Sequence, residues 1–288
     1  MKRVLVIGGG SIGQAIRTSV VEDVVVNIFD NDKAKATVST IEEGLNSADI
    51  VFVCVPSQAL SMVVSKLVEA KTLAPIVLLT KGLDEETGDF PYELFQKAGL
   101  ENVAILYGPM IAHKLSEKKH SFGMLASSNQ EIYQQLKEIF SNCLHIEYTS
   151  DIHSIAILGI IKNIYSLGAG MLQGLDVGEN VMGMYTVRVL QEMKSILTQL
   201  KGNVMQAEHV SGLGDFIATS TSEYSKNRAT GDNLVNGGAI PSTSEGMASL
   251  QLFCKKMSVC PPLLDTLNAI AQKTKTPEAL LETLISYE

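Results

Sequence analysis

Lys162 is the residue whose surroundings most demand a chemical explanation. It interrupts an apolar run, Ile155-Ala156-Ile157-Leu158-Gly159-Ile160-Ile161-Lys162-Asn163-Ile164, that continues through Tyr165 to Leu172 and is long enough to be a buried helix. An ammonium withdrawn from water is costly unless a partner or a ligand compensates it. On a helix, Leu158, Gly159, Tyr165 and Ser166 share its face, and Gly159 and Ser166 leave room there. Gly159, Gly168 and Gly170 each cost roughly 1 kcal/mol of helix propensity relative to alanine, which points to close backbone approach or a pocket. The competing reading is a lysine that snorkels its head to the surface. This stretch alone does not choose between them.

A second cluster of polar residues lies downstream, in Ser211-Gly212-Leu213-Gly214-Asp215-Phe216-Ile217-Ala218-Thr219 and Ser225-Lys226-Asn227-Arg228. It reads as an irregular segment between helices. Its glycines free the backbone, Lys226 and Asn227 can donate to phosphate oxygens, and Asp215 can orient a cation such as Lys162. The plainer reading is a capped turn with Asp215 as the N-cap of a following helix. Lys81, just after an apolar run, is a further candidate cation. His113, Lys114, Lys118, Lys119 and His120 form a basic patch that reads as a solvated loop face, with an anion-holding role as the alternative. The methionines at 171, 182, 184 and 193 have no other soft ligand beside them and read as core packing, so no metal is expected.

These groups need a scaffold, and the first half of the chain supplies the pattern of one. Val4-Leu5-Val6-Ile7 reads as a strand, Gly8-Gly9-Gly10-Ser11-Ile12-Gly13 as a turn, and Gln14 to Val20 as a helix. Gly8, Gly10 and Gly13 fit the Gly-x-Gly-x-x-Gly spacing that gives a tight turn, backbone approach to a pyrophosphate, and close helix packing. A second run, Val24 to Phe29, ends in Asp30, placed to accept ribose hydroxyls; its alternative is a loop carboxylate in a turn with Asn31 and Asp32. An acid there favours NAD over NADP, although Lys33 and Lys35 are close enough in sequence to keep NADP open. Strands follow at 50–55, 76–80 and 103–106, with a helix at 59–67. Pro56-Ser57-Gln58 and Lys81-Gly82 thus fall at carboxyl ends of strands, where such sheets bind ligands. Strands at 122–126 and 144–148, around a helix at 131–140, finish an α/β domain with a parallel core.

From Ile155 onward strand signals vanish. Apolar residues recur at helical spacing through Val187, Leu190, Ile196, Leu197 and Leu200, then over 247–253 and 263–270. The expectation is a dinucleotide-binding domain over 1–151 and an all-α substrate and dimerisation domain over 152–288.

Composition narrows the class. A chain of 288 residues that is 45% hydrophobic and 19% charged has room for two folded domains. A formal charge of −8 opposes a general nucleic-acid or anionic-membrane binder. The apolar run before Gly8 is too short for a signal-peptide core, and no uninterrupted apolar run approaches membrane-spanning length, so a cytoplasmic protein without membrane insertion is expected. Cys54, Cys143, Cys254 and Cys260 lack metal-ligand spacing and read as reduced, buried thiols.

Taken together, the motifs resemble the NAD(P)-dependent glycerol-3-phosphate dehydrogenases over nearly the whole chain. The matching fragments are Gly8 to Gly13, Val55 to Leu60, Thr80-Lys81-Gly82-Leu83, Gly108-Pro109 with Ala112, and Lys162-Asn163-Ile164. Further on come Gly174-Leu175 with Gly178 and Asn180, Arg188 with Glu192-Met193, Gly212 to Asp215, Ser225 to Arg228, and Glu245-Gly246. The resemblance implies hydride transfer between a nicotinamide and C2 of dihydroxyacetone phosphate or glycerol 3-phosphate. It puts the general acid/base on Lys162, a second active-site lysine on Lys81, the acid on Asp215 and a nearby threonine on Thr219. Phosphate binding falls on Lys226 and Asn227, with Asn163 and Gly108 also on the substrate side. Gly8, Gly10, Ser11, Ile12, Gly13, Asp30, Pro56 and Glu245 fall on the cofactor side. A homodimer is implied as well.

Three departures bear on the substrate. The family arginine is Lys226, which keeps the charge without the planar, bidentate grip. Met110 stands where a small polar residue is usual, and Lys114 where an acid is usual. The chain is also short after the second strand. On the expected mechanism Lys162 exchanges the proton at the C2 oxygen, desolvation lowering and Asp215 raising its pKa, while Lys81 stabilises the developing alkoxide. The rivals are a dehydrogenase of the same architecture acting on another small hydroxy or oxo acid, and a non-catalytic NAD-binding regulator.

Overall fold

The computed structural model describes residues 1–239 and 244–287. The chain divides into two compact units, Met1–Ala156 and Ile157–Glu288.

In the first unit, short strands, buried in the middle of the sheet and partly exposed at its two edges, alternate with helices. The order is β1 (Arg3–Ile7), α1 (Ser11–Ser19), β2 (Val25–Phe29), α2 (Ile41–Leu45), β3 (Ile50–Val53), α3 (Leu60–Glu69), β4 (Ile76–Leu78), α4 (Pro91–Lys97), β5 (Val103–Tyr107), α5 (Ala112–Ser116), β6 (Ser121–Ala126), α6 (Gln130–Ile139) and β7 (Leu144–Thr149). Local chemistry starts several of the helices. The Thr40 hydroxyl accepts from Glu43 N–H ahead of α2, and Glu93 accepts from Phe90 N–H while Pro91 opens α4.

The sheet order is β2-β1-β3-β4-β5-β6-β7. The first five strands are mutually parallel, so the residues after β1, β2, β3, β4 and β5 all emerge at one edge. Strand order reverses at β1, the switch point where open α/β sheets bind nucleotides. The parallel expectation needs one correction. β6 pairs antiparallel with β5, and β7 pairs parallel with β6, so the last two strands run the other way. Apolar runs report burial, and strand direction is decided by the connection. Here the chain after β5 makes the short α5 against α1 and comes back beside β5.

The second unit is helical: α7 (Ile152–Gly174, beginning in the last residues of the first unit), α8 (Glu179–Gln199), α9 (Asp215–Thr221), α10 (Lys226–Asn236), α11 (Glu245–Lys256), α12 (Pro262–Ala271) and α13 (Glu278–Ile285). α7 is long and apolar enough to cross a membrane, yet its apolar span is wholly buried inside the protein. Its glycines explain how neighbours reach it. A Cβ on Gly170 would lie 1.9 Å from the Arg228 carbonyl oxygen, and one on Gly231 of α10 would lie 1.9 Å from the Leu167 carbonyl oxygen. The two helices therefore pack backbone to backbone, each supplying a glycine. The Tyr185 hydroxyl of α8 crosses Gly168 and donates to the Tyr165 carbonyl at 2.8 Å.

Val187 is half exposed, together with Met184 one turn earlier, so both lie on the outer face of α8. One reading of this half is corrected. The segment around Gly212 is helical: a π-turn at Val210–Gly214 runs directly into α9, and Gly212 allows the turn to close on Ala207, whose carbonyl oxygen would sit 2.3 Å from a Cβ.

Candidate functional site

In the second unit, the lysine buried in α7 has found its partners. Lys162 Nζ donates to Asp215 Oδ1 at 3.0 Å and to Thr219 Oγ1 at 2.7 Å. Asp215 and Thr219 are one turn apart on α9, so their side chains fall on one face, and Thr219 Oγ1 also lies 3.3 Å from Asp215 Oδ1. Lys162 is 5% exposed, which excludes the snorkelling alternative. Asp215 is not the N-cap of α9; it is the first helical residue, after Gly214.

The adjacent residue, Asn163, is also buried. Its carbonyl oxygen would lie 2.5 Å from a Cβ on Gly246, so the start of α11 packs directly onto α7 beside the lysine. The same turn of α11 orders Asn227: its Oδ1 accepts from Gly246 N–H and from Ser244 Oγ, both at 3.0 Å. A backbone N–H can only donate, so the orientation of this amide is fixed and its NH2 is the end that can donate to a ligand. Ser225 caps α10 by accepting from Arg228 N–H, and Lys226 is exposed at the first helical position. A helix N-terminus flanked by a cation and an amide donor suits a phosphate. Arg228 is committed elsewhere: its Nε donates to the Ser222 carbonyl and its Nη1 to Gln173. Glu245 opens α11 and is partly buried.

In the first unit, the glycine loop lies at the carboxyl end of β1. Gly8 has φ +104°, and a Cβ there would meet the Cys54 carbonyl at 2.7 Å, while a Cβ on Gly13 would lie 1.9 Å from the Gly8 carbonyl oxygen. Gly8 is thus required by the turn and Gly13 by helix packing. A Cβ on Gly10 would meet nothing within 4 Å. Gly10 opens α1 without a side-chain cap, leaving the N-terminal N–H groups of Ser11 and Ile12 beside open space. This fits a dinucleotide pyrophosphate. Asp30, after β2, accepts from Gly9 N–H at 2.6 Å through Oδ2 and from Asp32 N–H at 2.8 Å through Oδ1. Its carboxylate is tied to the glycine loop.

Pro56 is exposed after β3, ahead of the 3-10 turn Ser57–Ala59. Lys81 is held by a group that sequence reading missed. Its Nζ lies 5.1 Å from the centroid of the Tyr107 ring, and the Tyr107 hydroxyl donates to the Thr80 carbonyl. Thr80 in turn donates to the Val55 carbonyl at 2.6 Å, linking the ends of β3, β4 and β5. Nothing local distinguishes Tyr107, the last residue of an apolar strand, before the fold is known. Gly108 follows with φ +153°.

Two expected departures turn out to have other roles. Met110 is a core residue, 7% exposed, whose sulfur would lie 3.2 Å from a Cβ on Gly123. It fills space left by that glycine in β6. Lys114 lies on α5, an exposed helical turn, where it and His113 both face Glu117 at 3.4 and 3.2 Å. Of the three, Lys226 is the one exposed at a helix N-terminus.

Residues 32–133 match the model of the NAD-dependent glycerol-3-phosphate dehydrogenase N-terminus, and residues 151–282 match that of its C-terminus. The chain is 26% identical, over an alignment 321 positions long, to a glycerol-3-phosphate dehydrogenase [NAD(P)+] from Pseudomonas savastanoi pv. phaseolicola, covering 99% of this chain and 94% of the relative. It is 31% identical over 210 residues to the Neorickettsia sennetsu protein of the same description, covering 72% and 63% of the two chains. Its fold is similar to the crystal structure of glycerol-3-phosphate dehydrogenase from Coxiella burnetii, with a TM-score of 0.89 at 21% identity over 99% and 98% of the chains.

Proposed function

Since the chain belongs to the NAD-dependent glycerol-3-phosphate dehydrogenase family, we propose that it transfers hydride between a nicotinamide cofactor and C2 of dihydroxyacetone phosphate or sn-glycerol 3-phosphate. The observation that carries this reading is the buried ammonium of Lys162, held by Asp215 and Thr219 beside Asn163.

The bound nicotinamide supplies the hydride in one direction and accepts it in the other. In reduction, Lys162 donates a proton from Nζ to the C2 oxygen as C2 becomes tetrahedral. In oxidation, the neutral amine takes the hydroxyl proton back. Asp215 and Thr219 fix the direction of Nζ, so the proton is delivered along a defined line rather than from a mobile side chain. The Asn227 amide, Lys226 and the N-terminus of α10 hold the substrate phosphate. Lys81, aimed by the Tyr107 ring, stabilises negative charge at the oxygen. Gly8, Gly10, Ser11, Ile12 and Gly13 bind the pyrophosphate and Asp30 the ribose. Pro56 and Glu245 complete the cofactor side, and Gly108 the substrate side. Asp30 makes NAD the preferred cofactor.

The reading extends to a cytoplasmic homodimer. Four cysteines without disulfides suit a reducing compartment. Met184 and Val187 give α8 an apolar outer face for a second copy.

The alternative of a different small oxo acid drew on Met110, Lys114 and Lys226. With Met110 in the core and Lys114 on an exposed turn, it rests on Lys226 alone. The test is NADH oxidation with dihydroxyacetone phosphate, repeated with NADPH and with a panel of 2-oxo and 3-oxo acids. The proposal expects turnover of the phosphorylated triose, faster with NADH. Turnover of a carboxylate in its place would reject it.

A further inference from the structure

The four cysteines are not equivalent. Cys54 and Cys143 are buried in the first unit, and burial pushes the Cys54 thiol far above its ordinary range. Cys254 and Cys260, in the second unit, are each partly exposed, and their sulfurs are 3.6 Å apart with the Cys260 S–H donating to Cys254 Sγ. The expectation of uniformly buried thiols fails for this pair.

The contact is built into the fold. Cys254 occupies the last turn of α11, and Cys260 stands just before Pro261 and Pro262 at the start of α12. The loop between them is anchored from α8 by one side chain. Gln199 Nε2 donates to the Val259 carbonyl at 3.0 Å, and Gln199 Oε1 accepts from Ser258 Oγ at 2.9 Å and from Val259 N–H at 3.1 Å. The backbone entering Cys260 is therefore held in place while Cys254 is fixed by its helix. A disulfide needs the sulfurs at about 2.05 Å, so the two must close by about 1.5 Å, a distance within reach of side-chain rotation.

The two thiols also differ from one another. The hydrogen bond from Cys260 lowers the Cys254 thiol below its ordinary value of 9.0, and the same bond, with burial, raises Cys260. The S–H···S contact at 3.6 Å places Cys260 to resolve a mixed disulfide formed on Cys254.

We propose that Cys254 and Cys260 form a dithiol modification site that takes a low-molecular-weight disulfide, such as oxidised glutathione, as its oxidant and closes to an intrachain disulfide. The Cys254 thiolate attacks one sulfur of the oxidant, whose S–S bond breaks and releases one small thiol. The Cys260 thiolate then attacks Cys254 Sγ and releases the second. The two protein thiols lose two electrons, the oxidant gains them, and the two protein thiol protons end on the two small thiols. This chemistry is independent of the dehydrogenase reading.

The experiment treats the full chain with oxidised glutathione, quenches in acid, and alkylates all remaining thiols after denaturation. Intact and peptide masses are then measured. The expected result is that two of the four cysteines escape alkylation with no glutathione retained, that a Cys254–Cys260 cross-linked peptide is found, and that dithiothreitol restores both thiols. The Cys260→Ser variant should trap glutathione on Cys254. Retained glutathione on the wild-type pair without a cross-link, or four alkylated cysteines after treatment, would overturn the proposal. A Cys260→Ser variant that folds but traps no glutathione on Cys254 would overturn the assigned order of attack.

Discussion

Lys162 on α7 and Asp215 on α9 form an ion pair at 3.0 Å, with side chains only 6% and 2% exposed. The pairing answers the cost of burying an ammonium. Thr219 completes the arrangement by accepting from the same ammonium. The lysine is thereby aimed by two groups of one neighbouring helix, so a change on α9 acts directly on the proposed proton donor.

Substituting Asp215 separates charge from hydrogen bonding. Asp215→Asn keeps an acceptor but leaves a buried ammonium without its counter-charge, at a cost of about 3–5 kcal/mol. Asp215→Asn should lower the denaturant midpoint and reduce kcat at least about tenfold while the KM for NADH is unchanged. A variant with wild-type stability and kcat would show that the pair has no part in either.

The backbone contact between α7 and α10 predicts an effect well away from the ion pair. Gly170→Ala would place a methyl group against the Arg228 carbonyl at 1.9 Å. The helices must separate, at about 1–3 kcal/mol or more, and α10 carries Lys226 and Asn227 at its start. Denaturation should shift to lower urea and the KM for the phosphorylated substrate should rise, with NADH binding unaffected. An unchanged denaturation midpoint would mean that the close approach is not there.

These contacts also mark what sequence reasoning reaches. The glycine loop was legible because Gly8, Gly10 and Gly13 act locally, within one strand, turn and helix, and Lys162 was legible because one charge in an apolar run needs compensation. Met110 was misread because its role depends on Gly123, a residue of β6 brought near only by the antiparallel return. Tyr107 was missed for the same reason: its ring matters only once β4 and β5 lie side by side. The segment around Gly212 looked irregular because its glycines suit a π-turn, a helix that ordinary periodicity does not describe.

Asp30 makes a prediction about the cofactor. Its carboxylate accepts from Gly9 N–H at 2.6 Å, and the proposed ribose contact uses the same group. Asp30→Ser should raise the KM for NADH by roughly tenfold, the value of one charged hydrogen bond at about 1.5 kcal/mol. Without the negative charge, NADPH should gain relative to NADH. A retained NADH preference in initial-rate measurements would remove Asp30 from cofactor selection.

The buried tyrosines set the alkaline limit of stability. Tyr165 and Tyr185 are held well above the ordinary phenol value of 10.0, chiefly because burial disfavours the phenolate and secondly because Glu192 carries charge nearby. Tyr165 donates to Glu192 at 2.6 Å. Above pH 10 the unfolded chain loses these protons while the folded chain keeps them, so the unfolded state binds fewer protons and stability falls as pH rises. Each phenol contributes about 1.4 kcal/mol per pH unit until its folded pKa is reached. Urea midpoints from about pH 8 to about pH 11 should drop on the alkaline side, with tyrosinate absorbance rising at unfolding. A flat midpoint with all eight tyrosines ionising before unfolding would contradict this.

The central claim is that Lys162 moves the proton at the substrate's C2 oxygen. The direct measurement is steady-state NADH oxidation with dihydroxyacetone phosphate by Lys162→Ala and wild type, alongside NADH binding by fluorescence. The expected result is a kcat lower by about 10²–10⁴-fold with NADH affinity unchanged. Undiminished turnover in the folded variant would contradict it.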